Sequence, residues 1–114
     1  MSAVRNFVCW VIKQVFAESL DKTIKKTGLP FMPEIKVKHM ISRWGSCVVN
    51  KKLIVLNSVL IYAPKFCIDY VVLHELLHFE NPNHDKKFYQ SLTANMPDWQ
   101  ECKKLLDEVV IREI

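Results

Sequence analysis

The sequence has few residues that interrupt regular structure, with 2 Gly and 5 Pro among its 114 residues. It also contains no internal repeat and no low-complexity tract. Its apolar run at residues 7–12 ends at Lys13, which makes it too short for a membrane span or for the core of a signal peptide. Because 50% of the residues are hydrophobic, the chain can bury a mostly helical core, and we expect residues 1–114 to form one domain.

Paired cysteines are missing as well. The 4 Cys residues stand singly, without a Cys-x-x-Cys pair, at Cys9, Cys47, Cys67 and Cys102. This pattern is typical of free, mostly buried thiols in a reducing compartment. We therefore predict a cytoplasmic protein that does not associate with membranes.

Charge of one sign is only slightly in excess. The net charge is +4, and the lysine pairs that produce it are dispersed along the chain beside acidic residues. Solvated surfaces explain such lysines better than a nucleic-acid-binding stripe does. Nucleic acid is therefore an unfavoured partner, with only weak phosphate contact left open.

Histidine is scarce, yet three of the 4 His residues lie close together at His74, His78 and His84. The segment 74–78 has the pattern His-Glu-x-x-His, with Glu75 as its acidic member. On a helix, positions 74 and 78 project from one face a turn apart, so their ring nitrogens can bind the same ion. Catalytic zinc takes three protein ligands and keeps a fourth position for water. We therefore predict one Zn²⁺ per chain, with His84 as the nearest third ligand.

The residues around the motif favour a helix. No Gly or Pro occurs from Asp69 to Leu73, and Val72, Leu73, Leu76 and Leu77 form an apolar stripe that would bury one side of that helix. The alternative is a buried amphipathic helix whose two histidines bind no metal.

The third ligand depends on how the chain leaves this helix. Asn81 and Pro82 predict a bend before His84. The spacing His-Glu-x-x-His-x₅-His equals that of the metzincins, so His84 can reach a shared ion. The rival ligands are carboxylates at Glu80, Glu101 and Glu108.

Hydrophobic periodicity predicts a long amphipathic helix at the N-terminus, which ends at residues 27–30. Its apolar positions are Val4, Phe7, Val8, Val11, Ile12, Val15, Leu20 and Ile24. Alternation over residues 35–41 then predicts a strand whose buried face includes His39, a weak site candidate.

The remaining elements follow from turn residues. Gly45 and Ser46 are expected to end that strand, and residues 48–49 and 53–57 to be extended in a hairpin or meander. Helices are expected from Ala63-Pro64 through the motif, over residues 84–94 with Phe88 and Leu92 inward, and from Pro97 onward.

Several motifs occur in the order found in one family. They are Arg43-Trp44-Gly45-Ser46-Cys47, Leu53 to Asn57, Asp69 to His78, Asn83 to Tyr89, and Met96-Pro97-Asp98. Together they resemble the YgjP-like metallopeptidases, in a short form that is similar to the minigluzincins. The resemblance implies an α+β, zincin-like fold: a long N-terminal helix, a small twisted β-sheet, an active-site helix and two C-terminal helices. It also implies zinc held by His74, His78 and His84.

These residues predict a zinc metalloendopeptidase. Glu75 would accept the proton of the zinc-bound water as it attacks a peptide carbonyl, and pass it to the leaving amine. The alternative is a latent or self-associating zincin that acts as a protein-binding module. In that case the apolar C-terminus would dock into a cleft or a neighbouring copy through Val109, Val110, Ile111 and Ile114.

Substrate-binding residues are predicted from the cleft that such a site requires. An edge strand containing Arg43, Trp44, Gly45 and Ser46 would bind an extended peptide, with Gly45 permitting close approach. The alternative is that Trp44 packs in the core and Gly45 marks a bulge. Candidates for stabilising the oxyanion are Tyr70 and Tyr89, then Arg43 and His39. Asp85 and Asp98 either orient the histidines or simply begin helices.

Overall fold

The computed structural model describes residues 3–109 of the chain, and the side chains of residues 6–108. The main elements are α1 (Ala3–Thr27), β1 (Glu34–Lys38), β2 (Gly45–Val48), β3 (Leu53–Asn57), α2 (Lys65–Leu77), α3 (Lys86–Asn95) and α4 (Trp99–Val109). Two short 3-10 helices, Val49–Lys51 and Ser58–Tyr62, lie directly before and after β3. Four helices and one small sheet confirm the predicted α+β class.

The three strands form a mixed sheet in the order β1-β3-β2. β2 and β3 form the predicted antiparallel hairpin, whereas β1 pairs in parallel with β3. The expectation that Gly45 and Ser46 end a strand was wrong, because they begin β2. Among residues 3–109, this order leaves β2 at one edge of the sheet, where one of its sides has no strand partner.

The first strand is shorter than the alternation predicted. In the register with β3, Lys38 faces Asn57, where β3 ends, so the residues beyond Lys38 have no strand partner. His39 and Ile41 are consequently exposed, Ile41 by 76%, instead of lying on a buried face. The prediction for His39 was therefore wrong.

Helix α1 is long, as predicted, but only its second half is well buried. Phe16 and Leu20 lie in the core, whereas Phe7, Val8 and Trp10 are exposed. The buried half is fastened to α2, since Asp69 accepts a hydrogen bond from Ser19 at 2.6 Å and pairs with Lys22 at 2.6 Å. The early turns lie beside the 3-10 helix at residues 58–62 instead, so the described part of the apolar face of α1 is only partly buried.

Helix α2 is the centre of the molecule, and most of its residues are buried. Its first residue follows Pro64, as the sequence predicted. Side chains from α1, β3, α3 and α4 surround it in one core, which includes Phe16, Leu56, Val72, Leu73, Leu76, Phe88, Leu92 and Leu106. Burial on this scale stabilises the helix by about 25 cal/mol for each Å² of apolar surface removed from water.

Helices α3 and α4 begin later than expected. The Asp85 side chain accepts a hydrogen bond from the Phe88 backbone N–H at 3.0 Å and so caps α3, which leaves His84 outside the helix. Phe88 and Leu92 point inward as predicted. The apolar residues Val110, Ile111 and Ile114 lie outside the described residues.

The described cysteines are all free. Cys67 and Cys102 are buried and Cys47 is half-buried, but Cys9 is exposed, so the expectation of mostly buried thiols fails at that position. Over residues 3–109, no helix is both long and apolar enough to cross a bilayer.

Candidate metal centre

The rings of His74, His78 and His84 meet at one point. The His84 Nε2 lies 3.0 Å from the His74 Nε2 and 3.0 Å from the His78 Nε2. His74 lies in the last turn of α2 and His78 at its end, while the bend at residues 81–83 returns the chain so that His84 faces both. The structure thus brings together the three residues that the sequence predicted as ligands.

Burial favours the neutral, metal-binding form of two of the three imidazoles. Burial, together with the charges of His78 and His84, lowers the pKa of His74 to about 3. Burial also lowers the pKa of His78. The His78 Nδ1 lies 3.2 Å from the carbonyl oxygen of Asn81, which can only accept, so Nδ1 carries the proton. The Nε2 lone pair of His78 is therefore directed toward the other two rings.

The donor set fits a tetrahedral ion. Three ligands at 2.0–2.1 Å from zinc would stand about 3.3–3.4 Å apart, close to the separations found here. A single shared proton cannot satisfy three facing Nε2 atoms as well as a cation can. Within the described side chains, this candidate metal-binding group contains only the three histidines. The rivals Glu80, Glu101 and Glu108 are exposed and stand outside it.

Phe88 forms an apolar base for the cluster, which the sequence analysis did not assign to the site. Its ring is fully buried, and its centroid lies 4.9 Å from His74, 4.7 Å from His78 and 5.1 Å from His84. Such contacts restrict ring rotation and keep water from the buried side. The sequence did contain a signal for this role, because Phe88 was predicted to point inward and lies about one helical turn after His84.

Glu75 combines burial with access to the cleft. Only 7% of its surface is exposed, and this burial raises its pKa to about 7, while the nearby charge of Arg43 acts in the opposite direction. A carboxyl group with such a pKa can both hold and release a proton near neutral pH. Its position therefore suits acid–base chemistry beside the histidines.

A cleft of about 550 Å³ contains the histidines and Glu75. Its opposite wall is the segment at residues 43–47, which includes the start of edge strand β2. Tyr70 and Val71 of α2 complete the lining, together with Pro82 and Val49. All four residues predicted to bind substrate thus line the same cleft as the metal-binding group.

Gly45 is required by the packing of the protein itself. A Cβ at this position would stand 3.1 Å from the Val55 carbonyl oxygen, 3.2 Å from Val71 Cγ1 and 3.3 Å from Glu75 Cγ. The predicted close approach therefore exists, but between β2 and α2. Trp44 combines the two alternatives, because it packs partly against the core and also lines the cleft.

Asn57 fixes the chain that leads into β2, a role that the sequence analysis did not assign. Its fully buried amide donates to the carbonyl oxygens of Met40 and Arg43, both at 2.8 Å. Its backbone N–H donates to the carbonyl of Trp44 at 2.9 Å. Its Oδ1 accepts from Val59 at 3.1 Å. The only sequence signal was Asn at the end of a strand, which does not reveal partners so far away.

The oxyanion candidates differ in position. Tyr70 lines the cleft, is buried, and stacks on Trp99. Its burial, and then the neighbouring Tyr89, raise its pKa, so it keeps its proton and can donate a hydrogen bond. Tyr89 also stacks on Trp99. Unlike Tyr70, Tyr89 and His39 lie outside the cleft lining.

Within the described side chains, neither Asp85 nor Asp98 forms a hydrogen bond with a histidine. Asp85 caps α3 and accepts a hydrogen bond from the Asn81 side chain at 3.2 Å. Asp98 is exposed and lies in the turn that precedes α4. For both residues the structure supports the alternative that they begin helices.

Comparison with known proteins defines the class of this fold as zincin-like metallopeptidase. The metallopeptidase zymogen abylysin of Pyrococcus abyssi has a similar structure, with a TM-score of 0.73 and 14% sequence identity over 80% of this chain and 90% of its own. The metallopeptidase zymogen jannalysin of Methanocaldococcus jannaschii is also similar, with a TM-score of 0.62 and 26% identity over 86% of this chain and 97% of its own.

The sequence identifies the family. Residues 1–109 match the family described as YgjP-like, metallopeptidase domain. The chain therefore belongs to the YgjP-like metallopeptidases, which confirms the resemblance found in its motifs. No curated protein matches the sequence.

Proposed function

We propose that this protein is a zinc metalloendopeptidase. The observation that supports it best is the meeting of three imidazoles and one buried carboxyl group in a single cleft. Three neutral ligands leave the full positive charge on a bound ion, which is the condition for hydrolytic zinc chemistry.

Each residue has a separate role in this proposal. His74, His78 and His84 would hold the ion through their Nε2 atoms. Bound zinc supplies Lewis acidity, which polarises a peptide carbonyl and lowers the pKa of water to roughly 7. The Glu75 carboxylate accepts the proton of the attacking water, and the resulting acid returns it to the amine nitrogen as the C–N bond breaks.

The edge strand supplies the proposed substrate-binding surface. Within the described residues one side of β2 has no strand partner, so an extended peptide can add to its free backbone groups. The residues involved would be Gly45 and Ser46 of β2, with Arg43 and Trp44 just before it, which line the same cleft as Glu75. Tyr70 is the better candidate for the donor to the oxyanion, because its protonated hydroxyl belongs to the cleft lining.

A Glu75→Gln variant tests this function. It should retain one zinc per chain and lose about 10²–10⁴-fold in the rate of cleavage of a quenched peptide, because the amide cannot accept the proton. Glu80→Gln is the matched control, since Glu80 is exposed on the same segment. Undiminished cleavage by Glu75→Gln would contradict the proposal.

A latent form is the second candidate, favoured by the similarity to two zymogens. The chain would then bind its metal and cut little until released from self-association or from its own terminal segment. Peptide cleavage measured across a dilution series tests this, since activity that rises on dilution indicates occlusion by a second copy. Location in the cytoplasm stays a prediction, to be tested by cell fractionation.

A further inference from the structure

The cleft contains one exposed cation without an ion pair. Arg43 belongs to the cleft lining, and within the described part of the chain no carboxylate lies within ion-pairing distance of it. We propose that the guanidinium of Arg43 binds a carboxylate of the substrate, so that the cleft prefers peptides with an anionic group near the cleaved bond. This inference rests on the proposed function, because it assigns a substrate class to the same cleft.

The position of Arg43 follows from its neighbours in the chain, since it lies just before β2. Gly45 faces α2 so closely that a Cβ would stand 3.3 Å from Glu75 Cγ. Arg43 and Cys47 are two residues before and after Gly45, and both are in the cleft lining. The electrostatics agree, since Arg43 acts to lower the pKa of Glu75, and Glu75 contributes to raising that of Cys47. Arg43 therefore lines the same cleft as Glu75, two residues from the point where β2 packs against α2.

The backbone of Arg43 is held before any substrate arrives. Its carbonyl oxygen accepts a hydrogen bond from the buried amide of Asn57 at 2.8 Å, and the next carbonyl accepts from the Asn57 backbone at 2.9 Å. Binding thus requires ordering of the side chain but little ordering of the main chain, which lowers the entropic cost of recognition.

The chemistry of the group indicates its ligand. A guanidinium carries five N–H donors in a planar fork and no acceptor, a geometry that matches the two oxygens of a carboxylate. A bound cation would raise the positive potential of the cleft further. Peptides offer such a carboxylate either on an Asp or Glu side chain or at a free C-terminus.

Matched peptides test the proposal. Quenched peptides would carry a single Glu or Gln at each of three positions on either side of the cleaved bond, with free or amidated C-termini. At one position the wild type should cleave the Glu peptide about tenfold more efficiently in kcat/KM, mainly through KM. If the wild type instead prefers peptides with a free C-terminus over amidated ones, the carboxylate that Arg43 binds is the one at the C-terminus of the peptide.

Variants at position 43 decide whether the guanidinium causes this preference. Arg43→Gln should bring the Glu/Gln ratio to about one, and Arg43→Glu should favour a Lys peptide over the Gln peptide. The control Lys51→Gln removes one exposed positive charge from outside the cleft and should keep the wild-type ratio. An equal loss of kcat on Glu and Gln peptides in Arg43→Gln would overturn the proposal, because it indicates a role in the chemistry common to all substrates.

A second readout does not depend on catalysis. In zinc-free protein, glutarate should shift the Arg43 side-chain NMR resonance along a saturating curve, and glutaramide should not. If no peptide is cleaved but glutarate binds in this way, the proposed function fails and the carboxylate site stands. If neither glutarate nor glutaramide shifts Arg43, or both do equally, the inference is wrong.

Discussion

The two walls of the cleft are built in different ways. On the wall of α2, the side chains that meet come from residues 74–88, which are near one another in the sequence. On the wall of β2, the backbone is positioned by Asn57, which lies 17 residues from Met40 and 14 from Arg43. The difference teaches that the proposed metal binding and the proposed substrate positioning depend on separate sets of contacts, so we expect that either can be lost while the other is kept.

Removing the third imidazole should give the largest effect. Binding of zinc to structural sites with four ligands releases roughly 10–16 kcal/mol of free energy, which is a few kcal/mol for each ligand. Loss of one ligand in His84→Ala should therefore weaken zinc binding on the order of a hundredfold or more. Competition with a chromophoric chelator measures the change. His39→Ala is the matched control, because His39 is exposed and outside the cleft lining. Unchanged zinc affinity in His84→Ala would mean that His84 is not the third ligand and that a carboxylate such as Glu101 takes that position.

Removing the Asn57 side chain should damage only the β2 wall. Asn57→Ala leaves the carbonyls of Met40 and Arg43 without their donor, and we expect a loss of about 2–4 kcal/mol in the free energy of unfolding. Zinc affinity should stay within threefold, while KM rises. Urea unfolding and chelator competition provide the two readouts.

A suitable control for Asn57 is Asn95→Ala, which removes a half-buried amide that donates to the Ser91 carbonyl within α3. It should cost less than Asn57→Ala and leave KM unchanged. A large loss of zinc from Asn57→Ala would contradict the separation of the two walls.

The contact between the walls is tested at Gly45. A Cβ there would meet three atoms at 3.1–3.3 Å, so Gly45→Ala should cost about 1–3 kcal/mol and reduce kcat by displacing Glu75. Gly28→Ala is a useful comparison, because its added Cβ meets nothing within 4 Å and is strained only by a φ of +70°. It should cost about 1 kcal/mol and leave kcat unaffected. Equal kcat in both variants would show that Gly45 does not set the distance between the walls.

The smallest expected effect is the pH dependence of stability in zinc-free protein. The pKa of His74 falls from 6.5 to about 3 on folding, so its contribution to stability is present above pH 6.5 and is lost as pH falls toward 3. The pKa of Glu75 rises from 4.5 to about 7, so its contribution is present below pH 4.5 and is lost as pH rises through 7. Between pH 4.5 and 6.5 the two slopes oppose each other.

The Glu75→Gln variant separates these two titrations. From pH 6.5 to 4.5 the stability of the wild type should fall less steeply than that of the variant, because protonation of Glu75 on folding offsets part of the loss from His74 and His78. Below pH 4.5 the stability of both should fall. Urea midpoints measured across this range are sufficient to compare them. Parallel curves would mean that Glu75 is not protonated on folding.

The sequence predicted the α2 wall well because its geometry is local. The spacing of His74 and His78 places them on one helix face, and the bend at Asn81-Pro82 needs only turn chemistry to return His84. The α+β class, the N-terminal helix and the helix opening at Pro64 follow equally from short-range patterns. The family match then confirmed the resemblance that the motifs had suggested.

The other wall depends on partners that no local pattern contains. Alternation over residues 35–41 could not reveal that β3 ends opposite Lys38, so His39 was wrongly placed on a buried face. The role of Asn57 follows from backbone carbonyls far away in the chain. Phe88 was predicted to point inward, but its contact with three histidine rings depends on how α3 returns to α2.

Zinc K-edge X-ray absorption on the zinc-loaded protein tests the central claim most directly. Binding through His74, His78 and His84 predicts one zinc per chain with three imidazole nitrogens at about 2.0–2.1 Å and one oxygen. A spectrum with fewer imidazoles and an added carboxylate, a sulfur ligand, or no bound zinc after refolding with excess Zn²⁺ would contradict it.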